Sequence, residues 1–407
     1  MHIDVLTDQT SGRGPPEVRA DSASVRHLEA GWLALAAVFA VYRIVPFLPD
    51  GVNGFAASNF LYSYSAGLHK RALVGSTIEL LGGYLSGPRI YALSLALLAG
   101  LTVALLAFTA RVMLASRSNL VLLLALLGGP AVLPHFSYAL GYFDPILIVC
   151  ALLVATLIGS PLPKALSVPV AAILCALGSL VHESFLVTAF PLVVIVQILR
   201  KPGQMSLLWP LAAVLLLVPV AVQIAGHPSL PLDQYIARAT LRTDIHLSRE
   251  AFELLDFSPT ENLHYLLQHY GNAVTDLRLL TAFVIPLPYF VWLYDLYRVA
   301  ATVRPFDSKE RRILAVSVLA PMALMLVGFD ALRWVSFACV NCSIFVHECL
   351  RADTSGELGQ ALERHVRSPR FMLLTLWAFA IGSLHVVDSN GFGSGVHALG
   401  RGLGFIS

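Results

Sequence analysis

Residues 90–113 read IYALSLALLAGLTVALLAFTARVM, and no charged side chain interrupts the run from Ile90 to Ala110. About twenty apolar residues in a helix cross the roughly 30 Å hydrocarbon core of a bilayer, so this segment reads as a membrane span. Comparable runs lie on both sides of it, at residues 30–49, 118–134, 142–160, 165–181, 184–200, 206–226, 279–300, 313–329, 334–350 and 371–388. The expected fold is therefore all-α, a polytopic transmembrane bundle of about eleven spans with two larger extracytoplasmic loops at 50–89 and 227–278. Composition points the same way. The chain is 57% hydrophobic and 13% charged, with a mean hydropathy of +0.74, whereas a soluble domain carries about a quarter charged residues.

Lys and Arg set the expected orientation. With residues 1–29 in the cytoplasm, seventeen of the 27 basic residues fall in cytoplasmic segments, which fits the excess of cations on that side of membrane proteins. Residues 1–29 are polar, without the apolar core of a signal peptide, and read as a disordered cytoplasmic tail. The bundle occupies 30–388, and an odd number of spans places the tail 389–407 outside. The expected location is the inner membrane of a bacterium, with the lipid bilayer itself as one partner. All five cysteines fall within spans, so Cys339 and Cys342 read as small buried thiols rather than a metal motif. A net charge of +2 on 407 residues excludes a nucleic-acid partner.

Ionisable side chains next to apolar runs are costly unless they face the bundle interior, water or one another. Three short outer connections carry them: His135 and Asp144, the pair His182-Glu183, and Asp330 with Arg333. All map to one face of the membrane under the orientation set by Lys and Arg. Each also has a structural reading. Asp144 before Pro145 suits a helix N-terminus, Asp330 and Arg333 are i,i+3 neighbours able to neutralise each other, and His135 suits the interface. The first loop adds Lys70-Arg71, adjacent cations that suit a phosphate as well as a lipid headgroup, with Glu79 as a local counter-ion. An amphipathic stretch from Val74 to Leu85 follows and reads as an interfacial or re-entrant helix. In the second loop, Ser258-Pro259-Thr260-Glu261 reads as the start of a short helix.

A long outer loop in each half, with Gly67-Leu68-His69-Lys70-Arg71-Ala72-Leu73-Val74-Gly75, Asp144, His182-Glu183 and Asp330 to Trp334, resembles bacterial glycan-assembly proteins. These are the Wzy-type polysaccharide polymerases and the GT-C class of lipid-linked-sugar glycosyltransferases. The first loop lacks the acidic pair expected of GT-C enzymes. The resemblance implies transfer of a sugar from a polyprenyl-phosphate or polyprenyl-diphosphate donor to a glycan or lipid-linked acceptor. Asp144 or Glu183 would then be the base, with His182 as its hydrogen-bond partner. Lys70, Arg71 and Arg333 would bind phosphate, and Asp330 would orient Arg333. No metal ligand set is specified, although the carboxylates leave room for a divalent ion. Two other readings use the same residues: a transporter or flippase of a lipid-linked glycan or other anion, and a non-catalytic scaffold.

Overall fold

A computed structural model describes residues 52–129, 131–226, 228–257, 260–261, 264–265, 267–268, 287–303, 306–326, 331–353 and 355–374. Among them the regular structure is helical, apart from one isolated bridge between Leu85 and Thr243. The spans expected at 30–49 and 371–388, nearly all of the latter, and both terminal tails lie outside the described residues.

Three helices are long and apolar enough to cross a membrane: α3 (Gly87–Met113), α7 (Lys164–Val181) and a segment over Pro202–Ile224 whose main part is α10 (Leu208–Ala225). Little of each is covered by protein. On α7, Leu166, Val170, Ile173 and Leu177 stand exposed at helical spacing, a stripe suited to lipid tails.

The other helices are shorter or more polar because they pack inside. Helix α6 (Asp144–Gly159) lies against α3, α7 and α9 (Phe190–Arg200), and α9 packs on α15 (Ala331–Ala352). Every residue of α15 from Arg333 to Leu350 is buried. Its 22 residues make a helix of roughly 33 Å. Surrounded by protein, it accommodates Asn341, His347 and Glu348 at positions that would be costly against lipid.

Two apolar runs that read as continuous spans are broken, and proline explains both. Run 184–200 divides into α8 (Phe185–Thr188) and α9, with Pro191 in the first turn of α9. In run 313–329, α14 (Ser308–Leu319) gives way to a 3-10 turn over Ala320–Leu326. Pro321 has no N–H to donate to the Ser317 carbonyl, and the Leu192 N–H goes to Ala189 instead of Thr188. The buried Asn341 amide donates to both freed carbonyls, each at 3.3 Å. One asparagine thus satisfies two helix breaks. The run 118–134 also divides, into α4 (Arg117–Gly128) and α5 (Leu133–Tyr138).

The two long loops assemble into one cap. The first folds as α1 (Gly54–Asn59) and α2 (Ala72–Leu80), the second as α11 (Leu232–Thr240) and α12 (Arg249–Asp256). Ser258 and Pro259 lie outside the described residues. Arg242 joins the loops by donating to the carbonyls of Leu61 (3.2 Å), Gly75 (3.3 Å) and Gly83 (3.3 Å). Tyr62 donates to the carbonyl of Ala251 at 2.8 Å. Arg71 takes Glu183, not Glu79, as its counter-ion. Glu79 accepts from Ser63, from Ser65 at 2.7 Å and from Arg238 at 3.2 Å, so it serves the cap.

Helix α2 passes so close to the segment Phe60–Tyr62 of its own loop that Gly75 has no room for a side chain. A Cβ there would lie 2.0 Å from the Tyr62 carbonyl oxygen and 2.9 Å from that of Phe60, both backbone atoms. Gly75→Ala is expected to destabilise the protein by about 1–3 kcal/mol, the usual cost of overpacking. A thermal unfolding midpoint equal to wild type would show that α2 does not sit here.

Candidate functional site

The ends of four helices meet beneath the cap. These are the N-termini of α2, α6 and α15 and the C-terminus of α7, and they bring together Arg71, Asp144, His182, Glu183 and Arg333.

Asp144 is the first residue of α6 and is fully buried, yet its side chain caps nothing. Its carboxylate instead accepts two hydrogen bonds from Arg333, from Nε at 2.7 Å and from Nη2 at 2.5 Å. Arg333 is also buried, its guanidinium lying 5.1 Å from the Tyr142 ring and 5.2 Å from that of Trp334. The local partner expected for Arg333, Asp330, lies outside the described residues. The partner observed is 189 positions away.

Arg71 makes the same two-pronged contact with Glu183, through Nε to Oε2 at 3.1 Å and through Nη2 to Oε1. The two pairs differ in accessibility. The Arg71 and Glu183 side chains keep 22% and 35% of their surface, against 9% and 0% for Arg333 and Asp144. Burial alone would raise the Glu183 carboxyl, but the Arg71 guanidinium, with Lys70 nearby, holds it well below the usual carboxylate range.

His182 is buried between these charges. The Ser184 backbone N–H donates to its Nδ1 at 3.1 Å, and the Ser184 hydroxyl lies 2.9 Å from the same nitrogen. A nitrogen that accepts from an amide carries no proton, so the neutral ring holds its proton on Nε2. Glu183 Oε2 stands 3.5 Å from Nδ1, too far for the hydrogen bond expected between His182 and the base. Desolvation keeps His182 well below the ordinary histidine value, with Arg71, Arg333 and Lys70 acting in the same direction against Glu183.

Sequence reading missed the anchor of the Lys70-Arg71 turn. His69 is fully buried. Its Nδ1 is 2.9 Å from the Lys70 carbonyl, and its Nε2 is 2.9 Å from the Tyr235 hydroxyl, which accepts from the Ser63 N–H at 3.0 Å. The signal was present in the His-Lys-Arg run, but the partner lies in the other loop. A second charged group lies at the opposite end of α15. There the fully buried Glu348 accepts from Arg200 at 2.8 and 2.5 Å and from Arg351 at 2.9 Å.

His135, on α5, is buried close enough to feel both Asp144 and Arg333, and burial pushes it down to about 4. His69 is also lowered, again first by desolvation. The unfolded chain binds protons at these positions below about pH 6.5, whereas the native state refuses them until far lower pH. Stability should therefore fall as pH drops from about 6.5 toward about 4, beginning above the carboxylate range. Thermal midpoints measured between pH 7 and 5 should decline, and His135→Gln should flatten the decline. A flat profile in the wild-type protein would show that these histidines are not buried neutral.

Among the described residues, no group of three or more His, Cys, Asp or Glu side chains is arranged to hold a metal ion. Three cations, Lys70, Arg71 and Arg333, face two carboxylates and two neutral imidazoles. Comparison with protein-family models, with curated proteins and with solved structures gave no match to this chain.

Proposed function

We propose that the chain is a polytopic protein of the bacterial inner membrane, with about eleven spans and a cytoplasmic N-terminus. In this reading it transfers a sugar at the outer face from a polyprenyl-phosphate or polyprenyl-diphosphate donor to a glycan or lipid-linked acceptor. The observation that carries the reading is the partly exposed Arg71–Glu183 pair beside His182, under a polar cap and at one end of an apolar helical bundle. A carboxylate, fixed cations and a lipid-facing surface are what this chemistry requires.

Accessibility separates the two carboxylates. Asp144 is fully buried and held by Arg333, so it serves as a support. Glu183 retains surface and is the base. It takes the proton of the acceptor hydroxyl as that oxygen bonds to the anomeric carbon. The bond from that carbon to the phosphate oxygen breaks, and its electron pair leaves with the phosphate. Arg71 and Lys70 balance the departing charge, Arg71 as a planar fork and Lys70 as a point charge. Arg333 contributes its field from behind.

One observation favours the transporter reading. Helix α15 carries Arg333 near one end and Glu348, bound by Arg200 and Arg351, near the other. Fifteen residues of helix separate them by roughly 22 Å, so one buried helix holds charge toward both faces. Proteoliposomes given a lipid-linked sugar donor, with and without acceptor, distinguish the two. Transfer predicts release of the polyprenyl carrier that depends on acceptor. Movement of intact donor between leaflets without acceptor, and no carrier release, would replace the enzyme by a transporter.

A further inference from the structure

In the site as it stands, Glu183 is a poor base, because a carboxylate gripped by two guanidinium N–H groups is weakly basic. The same grip occupies the fork of Arg71 that a phosphate would use. Both difficulties have one solution. We propose that a phosphate-class anion and Glu183 exchange on Arg71, so that arrival of the anion releases the carboxylate and makes it the base. The proposal rests on the reading above and adds how the site is switched on.

Four observations converge. The Arg71–Glu183 pair is the accessible one, so an anion can reach it, whereas the Arg333–Asp144 pair is sealed. Arg71 is the only non-glycine residue with a positive φ among the described residues, at 64°. It occupies the N-cap position of the nine-residue α2 without a side-chain cap. The first N–H groups of α2 therefore add partial positive charge beside the Lys70-Arg71 turn. Independently of the helix, His182 holds its proton on Nε2, and this buried nitrogen has no hydrogen-bond partner among the described residues. A buried donor without an acceptor is costly, and an oxyanion would satisfy it.

Charge gives the exchange its direction. Among the described residues, Lys70, Arg71 and Arg333 against Asp144 and Glu183 leave the cluster at +1. A dianionic phosphate brings it to −1, and a proton taken up by the released Glu183 restores it to zero. The loaded site thus favours proton uptake, which is what a base must do when an acceptor hydroxyl arrives. An empty site keeps Glu183 paired and unable to activate water. The donor is thereby protected from hydrolysis until it is seated.

The test uses full-length protein in lipid nanodiscs with inorganic pyrophosphate as the probe. Binding is measured by calorimetry at pH 7.5 in two buffers of different ionisation enthalpy. Glu183→Gln removes the competing charge, so it should bind pyrophosphate roughly tenfold tighter than wild type. Wild type should also take up more protons on binding than Glu183→Gln, whereas Arg71→Ala should lose binding. The groups facing Glu183 are Lys70, Arg71, His182 and, through Arg71 and His182, Arg333. Lys70→Gln should weaken binding in both backgrounds and leave the difference in proton uptake intact. Should Glu183→Gln fail to fold, Glu183→Asp, with a shorter reach to Arg71, should bind more tightly than wild type by a smaller factor. Equal or weaker binding by the Glu183 variants, or equal proton uptake, overturns the exchange and leaves the phosphate reading standing. Absence of pyrophosphate binding in every protein overturns both.

Discussion

Replacing Arg333 with alanine is expected to remove most of the folded protein. The substitution leaves Asp144 with no solvent exposure and without the two hydrogen bonds that hold it. Breaking a buried ion pair by deleting one partner costs about 3–5 kcal/mol, a large share of the roughly 5–15 kcal/mol that stabilises a typical fold. Arg333 also spans the Tyr142 and Trp334 rings, so packing is lost with the charge. Removing both charges should behave differently. In Arg333→Met with Asp144→Leu, apolar side chains of similar volume fill the same space, and such replacements of buried pairs are often neutral or stabilising. Thermal unfolding in detergent should therefore show a large loss for the single variant and near recovery for the double. A single variant as stable as wild type would mean that the pair is not formed.

Glu183→Gln is the second variant with a large expected effect, and its effect should fall on turnover. General-base catalysis contributes a factor of about 10² to 10⁴, so turnover should fall by that factor in a protein that still accumulates and still binds donor. The Arg71–Glu183 pair is partly exposed, so its loss costs stability far less than loss of Arg333 does. Lys70→Ala and Arg71→Ala should instead raise the donor concentration required, because they remove phosphate contacts. Transfer assays over a range of donor concentrations separate these outcomes. Unchanged turnover in a well-expressed Glu183→Gln variant would remove Glu183 from the reaction.

Unbroken apolar helices were legible in the sequence, including the buried α6 and α15 from runs 142–160 and 334–350. The apolar runs at 90–113, 165–181 and 206–226 correspond closely to α3, α7 and α10, because a lipid-facing surface must be apolar throughout. Broken elements were harder to read. Runs 118–134, 184–200 and 313–329 looked continuous, yet proline and glycine break them, and repair by Asn341 joins residues far apart in sequence. The candidate site shows the same limit. Burial cost picked out Asp144, Glu183 and Arg333 as individual residues, while their partners followed from tertiary structure. Local spacing offered Glu79 to Arg71, but Glu183 binds it, and it gave no hint that Arg333 would also reach Asp144, 189 positions away. His69 and Tyr235 were missed because each acquires meaning only where the two loops close on each other.

The most direct test of the account is sugar transfer by the Asp144→Leu, Arg333→Met double variant in proteoliposomes supplied with lipid-linked donor and acceptor. This variant is expected to fold, so loss of activity cannot be assigned to loss of protein. Wild type should release the polyprenyl carrier when acceptor is present. The double variant should be folded and inactive, because the field that Arg333 and Asp144 impose on the Arg71–Glu183 site is gone. A folded double variant that transfers sugar at the wild-type rate would contradict the claim that these charges form one functional site.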